Sequence, residues 1–371
     1  MRLYMQIREM KTMERSSGTL AAPNAKVCDQ RGVALLAVLW LAVALSFMGM
    51  ATAHMVRTEV DAVSNQIDWE RGYYLARGGI ESAVYSIARS VAAPPSPLGG
   101  PVTAAQFVPG KRWLQYPFPG GTCDVEIVPE QAKLNINSAT PDQLAALFVV
   151  LGLSPNDSLQ LAAAIADWRA LRTSEAGSTW DLYYASLVQP YLARHAPIER
   201  LEELLPVRGM SRDLFFGRVE KTPGGPWQQW PPLADLLTAQ ATATAVNPNY
   251  APYEVLRSLP GWSDSMAAEV VAARSRKPFQ TIEELQSAVP DAAISGSLAS
   301  LTLTVGPVYT LTATGYLPGS GVRRSVRALV LIDPSIPLYH RVLGWWDEWP
   351  AANEFPRPAG LGENSKGGSR T

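Results

Sequence analysis

The chain has 371 residues, and its 32 Lys and Arg against 33 Asp and Glu leave no overall charge to draw it to nucleic acid. With 47% hydrophobic and 18% charged residues it is not a disordered chain, and three His and two Cys leave little material for a His/Cys zinc site.

From Val33 to Ala53 no charged residue occurs. At about 1.5 Å per residue such a helix crosses a hydrocarbon layer of about 30 Å. The stretch exceeds the roughly 7–15 apolar residues of a cleaved secretory signal. Residues 1–32 carry Arg2, Arg8, Lys11, Arg15, Lys26 and Arg31 against Glu9, Glu14 and Asp29. That bias predicts a cytoplasmic N-terminus, a single span, and everything beyond Arg57 across the membrane. A plain signal anchor is one reading. The other rests on Arg31-Gly32 directly before the apolar run, a pair of the kind a prepilin peptidase cuts, which makes Val33 the mature N-terminus.

No Pro occurs between Val33 and Ala93. Val56, Val60, Val63 and Ile67, then Ile80, Val84, Ile87 and Val91, recur at steps of 4, 3 and 4, which puts each set on one helical face. Tyr73, Tyr74 and Leu75 lie between and keep that face apolar. One helix over 33–92 is predicted, stopped by Pro94-Pro95. A membrane helix that continues as an amphipathic one resembles the layout of a type IV pilin.

Residues 96–121 are rich in Pro and Gly and read as a loop with short elements. Thr122 to Val128 alternates polar and apolar positions, as a half-buried strand does. Val308–Gly315 and Val322–Ile332 are also strand-like, joined by a turn at Leu317–Gly321, and read as a hairpin in the same sheet. The strands are thus split by a long, mostly helical stretch.

That stretch contains an internal repeat. Pro197–Leu204 (PIERLEEL) and Pro278–Leu285 (PFQTIEEL) share Pro, apolar, two polar, aliphatic, Glu-Glu-Leu. Upstream, Asn137–Leu144 matches Asn247–Leu256 more loosely, and the first copy carries an insertion placed near Asp167 to His195. Small helical pairs joined at Val207-Arg208-Gly209-Met210 and Leu259-Pro260-Gly261-Trp262 resemble helix-hairpin-helix modules. Neither hairpin has the glycine pair that admits a phosphate. Arg257, Arg274, Arg276 and Lys277 are matched by Glu254, Asp264, Glu269, Glu283 and Glu284. A helical interaction surface is therefore favoured over DNA binding.

The segments Arg31–Leu36 (RGVALL), Lys133–Pro141 (KLNINSATP), Ala166–Arg169 (ADWR), Glu202–Met210 (EELLPVRGM) and Tyr339–Leu343 (YHRVL), in this order, resemble the large minor pseudopilin of type II secretion, the GspK family. The resemblance implies an α+β fold: a long N-terminal pilin helix packed on an antiparallel sheet, with a large all-helical domain of helix-hairpin-helix (SAM-like) repeats inserted between strands. The parts would be a leader (1–32), the pilin helix (33–92), the first part of the sheet domain (93–134), the inserted domain (135–306), closing strands (307–333) and a C-terminal tail (334–371).

It further implies a non-enzymatic inner-membrane protein with a periplasmic domain, cut between Gly32 and Val33. Its partners would be the I- and J-type minor pseudopilins, the major subunit, the prepilin peptidase and the inner-membrane platform. The fifth mature residue is Ala37, where most pilins carry a Glu that neutralises a neighbour's amino terminus inside an apolar bundle. A subunit without that Glu suits the tip of a filament.

Family members bind calcium in the inserted domain. The matching loop runs from Asp167 to Asp181, with Glu175 and Asp181 as candidate ligands. Ala170, Leu171 and Arg172 stand where further acids are usual, and a solvated loop is the alternative.

Other features attract blander readings. His54 lies at the membrane exit, His195 in a loop before Pro197 and His340 in the tail. Cys28 falls in the leader, leaving Cys123 alone on a strand as a buried thiol. Trp345, Trp346 and Trp349 form either a cap on the sheet or a contact patch, and the tail from Glu354 reads as disordered. The competing functions are a signal-anchored periplasmic module holding DNA or another partner, and a membrane-anchored hydrolase, for which the sequence offers no nucleophile–base pattern.

Overall fold

The computed structural model describes residues 31–92, 106–171, 178–221, 227–291 and 297–349. The leader through residue 30 and the tail from Glu354 lie outside the described residues. By compactness the chain divides into two units, Met1–Ser64 and Asn65–Thr371.

Helix α1 runs from Arg31 to Ala92. Its length follows from the absence of Pro and the supply of Ala and Leu. In the first unit every described side chain is exposed, from Ala34 to Ser64, and this is the one described helix long and apolar enough to cross a membrane.

In the second unit the sheet orders its strands β1-β2-β7-β8-β9, all antiparallel. β1 (Trp113–Phe118) lies in the stretch read as loop, and Pro117 is tolerated because β1 is an edge strand. β2 (Gly121–Pro129) leaves the sheet, and the chain returns to it only at β7 (Val308–Tyr316), which pairs directly with β2 from Thr122↔Tyr316 to Pro129↔Tyr309. The insertion therefore replaces the turn of a hairpin. β8 (Arg323–Ile332) follows, and β9 (His340–Trp346) closes the far edge. The expectation that 334–371 is a tail is thus corrected: six of its residues pair with β8, with a bulge at Leu329/Val330. Their alternation is weak because an edge strand is only half covered.

The sheet presents Cys123, Val125 and Ile127, Leu311 and Ala313, and Val326, Ala328 and Val330 to one core, which α1 completes with Ala76, Ile80, Ala83, Val84 and Ile87. The predicted apolar face of the helix needs correction. Tyr74 and Val91 are exposed, whereas Gly72 and Gly79 are buried. Contact is too close for side chains there. A Cβ on Gly79 would collide with Cys123 Sγ, and one on Gly315 of β7 with the Gly72 carbonyl. Hydropathy weights bulky residues and misses a face built on glycine.

The domain between β2 and β7 has its own core, from Leu134 to Leu301. In chain order it contains β3 (Leu134–Asn135), α2 (Pro141–Val150), α3 (Pro155–Arg169), α4 (Thr179–Ala185), α5 (Arg212–Phe216), β4 (Arg218–Lys221), β5 (Trp227–Trp230), α6 (Leu233–Leu236), β6 (Leu237–Thr238), α7 (Tyr253–Ser258), α8 (Asp264–Arg276) and α9 (Ile282–Ala288). It is not all-helical: β3 pairs parallel with β6, and β4 pairs antiparallel with β5. Because β3 already pairs inside the domain, its boundary falls after Pro129 rather than at 135. Side-chain caps start the helices: Thr140 with Gln143 boxes α2, and Ser154, Ser263 and Thr281 cap α3, α8 and α9.

Candidate functional site

Gly32 and Val33 stand in the first turn of α1, and Ala37 lies exposed one turn further along. Every described side chain through Ser64 is open to its surroundings. This is the surface that a bilayer or neighbouring apolar helices would cover.

The two helical repeats are built on one hydrogen-bond pattern. Asn137 donates from Nδ2 to the Ile198 carbonyl (2.8 Å) and accepts the Ile198 N–H (2.8 Å). Asn249 does the same with Phe279 at 2.9 and 2.8 Å. Each of these asparagines is itself held by another two residues earlier: Asn135 Oδ1 accepts from Asn137 N–H (2.9 Å), and Asn247 Oδ1 from Asn249 N–H (3.0 Å). An arginine at the end of the second long helix then binds the turn. Arg169 donates to the Ile136 and Ala139 carbonyls, and Arg274 to those of Pro248 and Ala251. The structure thereby shifts the register read from sequence. Asn137 is equivalent to Asn249, and Asn247 to Asn135.

Arg274 is a half-buried cation satisfied by carbonyls, and desolvation pushes its pKa down to about 10, with a smaller contribution from Arg112. Arg257 is paired with Asp264 (2.5 Å) and Lys277 with Glu284 (2.7 Å). These bases are engaged within the domain rather than gathered for a phosphate backbone.

Two buried polar junctions fix this domain to the sheet. At the exit from β2, Lys133 Nζ donates to Glu130 Oε1 (2.6 Å) and Thr310 Oγ1 (2.9 Å), while Thr310 donates to Glu130 (2.5 Å). In the middle of the sheet, Arg327 Nε donates to Thr312 Oγ1 (3.0 Å), and its guanidinium pairs with Asp235 of α6. Trp349 stacks on Arg327 at 3.8 Å, and Trp345 packs against the sheet core. Of the two readings of the tryptophan cluster, the cap on the sheet is therefore the one these residues make.

Of the candidate calcium ligands, Glu175 lies outside the described residues. Asp181 is nearly buried at the start of α4, where its Oδ2 accepts the Ser178 N–H (3.0 Å). Sequence reasoning named Asp167 as the start of the calcium-type loop and His195 as a loop residue at the end of the insertion, neither as a ligand, yet the fold brings both to Asp181. His195 Nε2 lies 2.8 Å from Asp181 Oδ1, its Nδ1 lies 3.1 Å from the Ala170 carbonyl, and Ser178 Oγ donates to Asp167 Oδ2 (2.9 Å). Desolvation alone would lower the His195 pKa. The bonds to Asp181 and Ala170 and the charges of Asp181 and Asp167 outweigh it and raise the pKa. No local pattern marks this cluster, since its members are separated by 14 residues or more.

A long N-terminal apolar helix and an antiparallel sheet that its second half packs against define the class: a pilin-like fold, here with a second domain set into the sheet. Two family models, each described as type II secretion system (T2SS), protein K, match residues 125–216 and 246–305. A chain in the crystal structure of the GspK-GspI-GspJ complex from the enterotoxigenic Escherichia coli type 2 secretion system has the same fold. It is 16% identical, with a TM-score of 0.51 over 77% of this chain and 98% of that one. No curated protein matches the sequence. Over these two segments the chain is similar to type II secretion system protein K.

Proposed function

We propose that this chain is a minor pseudopilin of type II secretion that starts or caps the periplasmic pseudopilus as its tip subunit. The observation that carries the reading is the domain inserted between the neighbouring strands β2 and β7 and pinned to the sheet by Glu130–Lys133 and Asp235–Arg327. A second domain fixed in this way hinders close packing within a shaft and is tolerated at an end. Ala37 supports the same role, because a subunit lacking the carboxylate offers no partner to the amine of a neighbour above it. The excess of Lys and Arg before Val33 supports a cytoplasmic N-terminus and a periplasmic domain on a single inner-membrane span.

In this reading a prepilin peptidase cuts between Gly32 and Val33. The helical pairs act as helix-hairpin-helix-type modules in protein contact, and the partners are the I- and J-type minor pseudopilins, with the major subunit and the inner-membrane platform beneath. The complex in which the fold relative was solved contains GspI and GspJ, which supports that choice. Two measurements test it. Co-expression with the peptidase should yield a chain beginning at Val33, and Gly32→Ala should block that. Full-length chain in detergent should co-purify with its I- and J-type partners as a ternary complex. Recovery of the chain alone would sink the tip role.

A further inference from the structure

The end of α3 and the start of α4 are joined by a cluster outside the hydrogen-bond pattern that the two repeats share. Asp167 lies near the end of α3, Asp181 near the start of α4, and His195 in the return segment, with one ligand-type atom of each within 4.8 Å of the others. Calcium takes about six to eight oxygen donors at roughly 2.3–2.6 Å. Among the described residues this donor set does not fit it. One of the three groups is an imidazole, and the positions after Trp168-Arg169 are Ala170 and Leu171. The Asp181 carboxylate is already bonded through both oxygens, to Ser178 N–H and to His195.

We infer that the His195 side chain takes the place of a bound cation between the ends of α3 and α4 and joins them without calcium. The ring is held at both ends, by Asp181 through Nε2 and by the Ala170 carbonyl through Nδ1. Both partners are oxygens, and the ring spans them with one nitrogen at each end. It thus joins the last turn of α3 to the first turn of α4, the work a bridging ion would do. The backbone is arranged for it: His195 has φ 50°, a left-handed conformation uncommon for a residue with a Cβ, and this kink sets the ring between Asp181 and Ala170. Ser178 completes the closure by bonding both carboxylates, Asp167 through its hydroxyl and Asp181 through its N–H. Beside the cluster Trp168, Tyr184 and Tyr191 pack edge-on or tilted at 5.2–6.3 Å, so the join between the two helices does not depend on an ion alone.

Thermal melting of the full-length chain in detergent tests this, with chelator, with excess calcium and with excess zinc. The wild type should melt at the same temperature in all three. His195→Ala should melt several degrees lower in every condition. His195→Asp, which restores an oxygen donor, should regain stability only with calcium. A wild-type melting point that rises with calcium or zinc overturns the inference, as does a His195→Ala variant that melts like the wild type. If His195→Ala does not fold, the wild-type comparison still decides. No partner is present, so the result is independent of the tip role.

Discussion

Arg327 in the middle of β8 and Asp235 on α6 form an ion pair that ties the sheet to the domain inserted into it. The guanidinium is nearly buried, is bonded to Thr312, and is roofed by Trp349. Removing the carboxylate leaves a desolvated cation without its counter-ion, which typically costs about 3–5 kcal/mol when both groups are fully buried. Asp235 is partly exposed, so Asp235→Ala should destabilise by roughly 2–3 kcal/mol in denaturant unfolding. Removing both charges, in Arg327→Met with Asp235→Leu, should recover most of that loss. A double variant no better than the single one would show that the pair does not set the junction.

Gly79 and Gly315 set how closely α1 approaches the sheet. Either Gly→Ala change forces a methyl into Cys123 Sγ or the Gly72 carbonyl, and overpacking of this kind costs about 1–3 kcal/mol. Gly319, with nothing within 4 Å of its Cβ position, is the control, and Gly319→Ala should leave the melting point unchanged. Cys123→Ala should relieve part of the Gly79→Ala defect but none of the Gly315→Ala defect. Equal relief of both would count against a steric cause.

The paired asparagines predict matched losses. Asn137→Ala and Asn249→Ala each remove two hydrogen bonds and strand the backbone groups of Ile198 or Phe279, at about 2–3 kcal/mol apiece. Asn→Asp keeps the acceptor and loses the donor, so at each site it should recover at most one hydrogen bond's worth of the loss seen with Ala. Unfolding curves of the four variants check this, and an asymmetry between the copies would argue that only one ring carries structure.

Glu254 gives a pH test. Burial holds its carboxyl above the ordinary range, against smaller opposing effects of its own backbone N–H and of Arg112. A folded-state pKa raised above the unfolded value means that its stabilising contribution is full below the unfolded pKa and lost as pH rises through the folded one. Glu254→Gln should therefore raise the melting point at about pH 7, and the gain should vanish below about pH 4, where both states hold the proton. A gain that grows on acidification would contradict the burial.

How much of this was legible beforehand depended on the range of the interactions. The helix over 33–92, the strands at Thr122–Val128, Val308–Gly315 and Val322–Ile332, and the existence of a repeat rest on periodicities of 3.6 and 2 and on shared short motifs, all visible within a dozen residues. The α1 face was misread because Gly72 and Gly79 contribute by lacking side chains, and hydropathy gives no weight to that. β9 was missed because an edge strand needs little alternation, and the repeat register because Asn135 and Asn247 are interpretable only through the carbonyls and N–H groups they meet.

By itself the sequence determined a single apolar helix, a basic stretch before Arg31-Gly32, a split sheet and a duplicated helical motif, because each of these is written in local composition or spacing. Only the tertiary structure decided that the split falls between adjacent strands, that Arg327 and Asp235 lock the two parts, and that Asp167, Asp181 and His195 meet. Those facts depend on long-range pairing, where residues far apart in the chain acquire partners only once the sheet and the insertion have closed on each other.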